Sequence, residues 1–267
     1  MTYTKTLISH PLFLSDTTLP TPDHPKTTTH SSSATVYNHS SPSALPDWHD
    51  HSLEEKLQHV FVDISISAEE KDTISHLLTP LRDKNEATHF HYQHSVRVGL
   101  LCYDIAEFMH LDKKPLFYGG LLHDLGKSCM PLELLAKADV RLSENIDWTT
   151  KDREKMKAHV TKSYQLVKAA EYPEISEIIP DIVVRHHRYG RDPYPKKLPK
   201  FPAQYSEGTK TMIGFYSRIV ALADVYDALH RLDQQQRSEE EIKEYMFKEN
   251  LELNVLIKEL YKKGILR

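Results

Sequence analysis

Glycine is scarce in this chain, with 8 among 267 residues, and so few residues free to turn sharply suit helices better than a sheet-rich fold. Cysteine is scarcer still. Cys102 and Cys129 form neither a CxxC pair nor a dense framework, which argues against a thiolate metal site and for a reducing compartment. No apolar run approaches the roughly 20 residues a membrane-spanning helix needs, and the N-terminus lacks a basic segment followed by an apolar stretch. Positive charge is not in excess either: a net charge of -4 argues against nonspecific binding to duplex nucleic acid or acidic membranes. The expectation is a cytoplasmic protein that does not engage a membrane. Hydrophobic residues at 39% and charged residues at 27% are those of an ordinary soluble protein, long enough to bury a substantial core.

What the chain has in abundance is histidine, 17 in all. Five of them (His10, His24, His30, His39 and His49) fall in residues 1–50, a stretch rich in Ser, Thr and Pro without periodicity. That composition reads as a disordered tail, whose histidines have no fixed geometry in which to hold a metal. From about residue 51 to 267 the pattern is helical. Ser67 followed by Glu70 is a capping arrangement for a helix through about Leu81. The segment from about Thr88 to His110 places His94, Val98, Leu101, Ile105 and Phe108 on one stripe, so His94 faces inward. His91 lies a turn earlier, as a packing residue or a ligand, and Arg97 follows His94 by three.

Leu116 to Leu122 reads as a buried helix whose paired glycines, Gly119 and Gly120, permit close helix approach. It ends in His123-Asp124. A charged Asp after so apolar a run is unfavourable unless a cation compensates it. Gly126 suits a left-handed helix terminus. A helix from about Lys151 carries His159, and an apolar helix from Ile175 to about Arg188 ends in His186-His187. In the helix from Thr209 to about Arg231, Ile213, Tyr216, Val220, Asp224 and Asp227 share a face. Asp227 is either a partner of a metal ligand or a simple helix-face hydrogen bonder. Two more helices follow, the first opening on Ser238-x-x-Glu241. The second, with Leu251, Leu253, Leu256 and Leu260, could serve the bundle or a homodimer. No strand candidate emerges, and the body is expected to be all-α.

Neutral imidazoles offer one lone pair each and a carboxylate can bridge two cations, so this ordered series points to a shared metal site. The set His94, His123-Asp124 and Asp224 resembles the ligands of the HD-domain metal-dependent phosphohydrolase superfamily, a helical bundle around one or two ions. With His159, His186-His187, Lys127 in His-Asp-x-Gly-Lys and the run from Arg218 to Leu229, the likeness narrows to the HD-GYP subgroup over about residues 88–262. That subgroup hydrolyses cyclic dinucleotides, chiefly cyclic di-GMP. The chain departs from the subgroup in several places. Arg188 stands where Glu usually follows the paired His, Pro193-Tyr194-Pro195 stands in place of Gly-Tyr-Pro, and Phe90 replaces the Glu of a trinuclear variant.

The resemblance implies two divalent ions, one held by His94, His123, Asp124 and Asp224 and the other by Asp124, His159, His186 and His187, with Asp124 bridging. Such a pair activates water for in-line attack on phosphorus. An all-N/O ligand set favours Fe or Mn, with Zn or Ni as alternatives. Lys127, beside the catalytic Asp124, is placed to contact a phosphate oxygen or protonate the leaving oxygen, or else is a solvated loop lysine. The loop from Arg188 to Lys197 is locally basic; Arg188 and Arg191 would attract an anionic substrate and Tyr189 or Tyr194 would stack on a base, unless the loop is a plain connection. A nucleotide or alarmone phosphohydrolase, or a silent signalling module binding a regulatory protein, are the alternative functions.

Overall fold

The computed structural model describes residues 50–138, 148–190, 192–231 and 237–267. The expected N-terminal tail and its five histidines therefore lie outside the described residues, as does Arg191. Among the described residues there is no strand, and no helix is long and apolar enough to cross a membrane.

Helices α1 (Asp50–Asp63), α2 (Ala68–Arg82), α3 (Glu86–Phe108) and α4 (Lys113–Leu122) open the fold. The start of α2 is the expected capping box, with the Ser67 hydroxyl accepting from the Glu70 N–H at 3.1 Å and the Glu70 carboxylate accepting from the Ser67 N–H at 3.4 Å. Glu70 does more than cap. Its buried carboxylate also accepts from the Tyr118 hydroxyl at 2.5 Å and from the Lys114 ammonium at 2.8 Å, which ties α2 to α4. Both oxygens of the buried carboxylate are thereby paired.

α3 is the central helix, with α1, α2, α4 and α9 (Glu207–Arg231) all packed on it. It is therefore buried on more than the single stripe expected. Phe90, Tyr92, Val96 and Cys102 are buried as well as Val98 and Ile105, whereas Leu101 and Phe108 are half-buried. The α3–α4 approach depends on Gly120: a methyl there would stand 2.8 Å from the Cys102 sulfur and 2.9 Å from the Val98 carbonyl. Its neighbour Gly119 serves a different partner, facing Ile182.

After α4 come a tight 3₁₀ turn at Leu125–Cys129, α5 (Leu132–Ala138) and α6 (Thr150–Lys168). Thr149 and Asp152 form a capping box at the start of α6. The single helix expected over 175–188 is not formed. Instead the segment breaks into α7 (Pro173–Ser176), α8 (Ile179–Val183) and a 3₁₀ turn at His186–Arg188. Pro180 separates α7 from α8, because it lacks an N–H and its ring would clash with the carbonyl four residues back, so it begins a helix rather than continuing one. α10 (Glu239–Glu249), capped by Ser238 and Glu241, and α11 (Asn254–Lys262) close the chain. Of the C-terminal leucines, Leu260 enters the main core with Ile257, while Leu251 stays exposed.

Candidate metal centre

Five separate pieces of chain deliver the predicted residues to one place. α3 brings His94, the end of α4 brings His123 and Asp124, α6 brings His159, the broken segment brings His186 and His187, and α9 brings Asp224. None of the seven is more than 2% exposed. Ring centroids are 5.1 Å apart for His94 and His123, 5.0 Å for His123 and His186, 4.0 Å for His186 and His187, and 5.2 Å for His159 and His187. On a straight helix adjacent side chains diverge by about 100°. His186 and His187 still reach the same cluster, and the backbone leaves helical geometry at His187 (φ -94°, ψ 20°).

Asp124 stands between two groups. Its Oδ2 lies 3.4 Å from Nε2 of both His94 and His123, while its Oδ1 lies 3.1 Å from Nε2 of His159. Asp224 Oδ1 is 3.2 Å from His94 Nε2 and 3.7 Å from His123 Nε2. Donor atoms of His94, His123 and Asp224 fall within 4.8 Å of one another, as do those of His159, His186 and His187, and those of His123, Asp124 and His186. These are clusters that could hold metal ions, and His123 and His186 sit at the seam between them.

The hydrogen bonds decide which ring nitrogens are available. Nδ1 of His123, His159 and His186 meets the backbone carbonyl three residues earlier, at 2.7, 2.7 and 2.6 Å (Gly120, Met156 and Val183). A carbonyl oxygen only accepts, so each Nδ1 must carry hydrogen and Nε2 presents the inward lone pair. His94 reaches the same tautomer differently, with Nδ1 2.7 Å from the Asp227 carboxylate, which Arg97 grips through two N–H groups at 2.6 and 3.1 Å. The inward Nε2 atoms of His94, His123, His159 and His186 are buried and make no hydrogen bond. Buried polar atoms rarely go unsatisfied, and a cation among them would use every one. The residues present therefore fit a metal centre.

Charge tells the same story. Burial pushes the Asp124 carboxyl upward, but Lys127, His123 and His159 together outweigh it and hold the group well below the usual carboxylate range. Burial is likewise overcome at Asp224, by His123 and His94. Burial lowers His123, yet Asp124 and Asp224 raise it to about 10. Burial together with the neighbouring His123 pushes His186 down to about 3. A bound cation would take over from the imidazoles and Lys127 the balancing of these carboxylates.

Lys127 is not the solvated loop residue that one reading allowed. It is 6% exposed, and its ammonium lies 2.5 Å from Asp124 Oδ2. Gly126 is not in a left-handed conformation, since Gly264 is the positive-φ glycine among the described residues. It is needed instead because the turn presses on α6. The Gly126 N–H donates to the Ser163 hydroxyl at 2.7 Å, and a methyl at 126 would collide with the backbone of His159 and Ser163. Ser163 was not singled out from the sequence, although it lies four residues after His159 on the same helical face.

The residues expected to bind substrate are placed unequally. Arg188 is half-buried and donates to the Pro195 carbonyl at 2.8 Å, closing the loop on itself. Tyr194 is buried, and its ring stacks on His187 at 4.5 Å, so that one face backs a histidine of the cluster. Tyr189 is also turned inward; its hydroxyl donates to the Gly214 carbonyl at 2.6 Å. Asp192 tempers the basic loop by pairing with Lys157 and Lys196, each at 2.6 Å. His91 is buried beside Phe90 and takes no part in the three donor clusters.

The family description of the HD domain matches residues 91–229, a little over half of the 267-residue chain. This chain belongs to the HD-domain family and is by class a metal-dependent phosphohydrolase. No curated protein is matched by its sequence. Among solved structures it is similar to the HD domain of the L. monocytogenes phosphodiesterase PgpH in complex with cyclic-di-AMP, with 16% identity, a TM-score of 0.43, and coverage of 70% of this chain and 85% of that one. A second structure of the PgpH HD domain is similar at 16% identity and a TM-score of 0.42, with the same coverage.

Proposed function

We propose that this protein is a phosphodiesterase that opens a cyclic dinucleotide, cyclic di-GMP first among them, with two divalent ions held by His94, His123, Asp124 and Asp224 on one side and by Asp124, His159, His186 and His187 on the other. The observation that carries this reading is the division of Asp124, whose two oxygens address two different histidine groups. The all-N/O donor set favours Fe or Mn, with Zn or Ni as alternatives. When bound, such ions lower the pKa of water and offset the charge that develops on phosphoryl oxygens.

The chain's own residues supply the rest. Asp124 holds the two donor groups in register. Water adds to phosphorus opposite the leaving sugar oxygen, that P–O bond breaks, the departing oxygen takes up a proton, and the proton the water gives up restores the donor. The Lys127 ammonium, held against Asp124, would give that proton or neutralise the oxygen. The burial of the centre excludes bulk water, which strengthens each of these electrostatic effects.

A second reading, hydrolysis of a nucleotide or alarmone, is favoured by one feature. The Pro193-Tyr194-Pro195 segment turns its tyrosine inward onto His187, leaving the entrance without an aromatic platform from that residue. The metal-loaded protein should be assayed against cyclic di-GMP, cyclic di-AMP, nucleoside mono- and triphosphates and an alarmone. A linear dinucleotide product supports the first reading. Release of inorganic phosphate or pyrophosphate supports the second, and no turnover with Fe, Mn, Zn or Ni contradicts both.

A further inference from the structure

The histidines of the centre are not backed alike. His123, His159 and His186 each lean on a neutral backbone carbonyl, whereas His94 leans on a carboxylate that a guanidinium holds in two places. Asp227 is 8% exposed, so this charge pair works in a medium that strengthens it. A charged acceptor polarises the imidazole more than an amide carbonyl does, making Nε2 a stronger donor to a cation and fixing the ring's rotation.

We propose that Asp227, held by Arg97, is a positioning residue that acts on one of the two metal positions, the one His94 shares with His123 and Asp224. At the other position, His159 and His186 lean on neutral carbonyls in place of a carboxylate. The consequence is two unequal sites in one centre. Asp227 touches neither water nor substrate; it acts through His94. This inference rests on the two-metal reading above, and it adds which position depends on which outer residue.

The test uses the full chain, stripped with chelator and then titrated with Mn²⁺ or Zn²⁺ by calorimetry and equilibrium dialysis. Asp227→Ala should weaken one of two ions by about 10–100-fold and leave the other near its original affinity. Asp227→Asn restores a neutral acceptor of the kind the other rings have and should fall between Ala and the parent. Arg97→Gln should weaken the same ion by less. In metal-loaded protein, two-bond ¹H–¹⁵N spectra should show the His94 imidazole nitrogens shifted in Asp227→Asn while those of His159 and His186 stay in place. Equal weakening of both ions, no weakening of either, or an unmoved His94 signal would overturn the inference. Should Asp227→Ala fail to fold, Asp227→Asn and the ¹⁵N signature decide alone. A parent chain that binds no metal at all would sink the two-metal reading itself, whereas a parent with two ions and variants with two equally tight ions would sink only this inference.

Discussion

His94 and Asp224 ride within long helices and His123 stands at the end of a third, whereas His186 and His187 sit on a 3₁₀ turn that follows the five-residue α8. The first half of the centre is held by helix packing around α3, deep in the main core. The second half is held by local devices: the Gly126 turn pressed on α6, the Tyr194 ring stacked on His187, and the Tyr194 N–H donating to the His187 carbonyl at 3.2 Å. Helix packing distributes strain over many neighbours, while a turn depends on a few contacts. The second half should therefore be the easier to disturb without unfolding the protein.

The largest effect belongs to the residue the halves share. Asp124→Ala should remove both ions and nearly all turnover, and retention of full metal content by elemental analysis would contradict its bridging place. Lys127→Met should leave metal content alone and lower turnover about 100-fold, the lower end of what a positioned proton donor contributes. Unchanged steady-state kinetics would reduce it to a structural partner of Asp124.

Gly126→Ala separates the halves more directly. The added methyl has to displace the α6 backbone at His159 and Ser163, at a cost of about 1–3 kcal/mol in stability as for other overpacked sites. Thermal unfolding should show that loss, and metal titration should show the ion on the His159 side weakened more than its neighbour. Equal weakening of the two would erase the distinction between helix-held and turn-held halves.

The smallest effect concerns the start of the helix that carries His159. Asp152 accepts from the Lys137 ammonium at 2.7 Å and from Thr149, which together lower its carboxyl to about 2 from the ordinary 3.8. A carboxyl depressed on folding contributes its stabilisation above the unfolded value and loses it as pH falls through the folded one. Acid titration should thus fray α6 as pH falls from 3.8 to about 2, and in Asp152→Asn this pH-dependent step should vanish. Helix-specific hydrogen exchange would read it.

The long helices were legible because their apolar periodicity is strong and their caps are explicit: Ser67 with Glu70, and Ser238 with Glu241, both form the capping boxes the sequence implies. The convergence of the His and Asp residues was legible from helical phase at His94 and Asp224, and from family resemblance elsewhere. The broken segment was misread because periodicity over 175–188 looks helical until Pro180 is given its due. Gly126 was assigned a role in backbone conformation when its role is close approach, which requires knowing that α6 lies against it. Tyr194 and Tyr189 carry aromatic rings that sequence alone offers to a ligand. Only the packing reveals that they are spent on His187 and α9.

The most direct measurement is anomalous diffraction from crystals grown with Mn²⁺. Two peaks roughly 3.5–4 Å apart, one on either side of the Asp124 carboxylate, are the predicted result. A single peak, or manganese found only away from Asp124, would contradict the account.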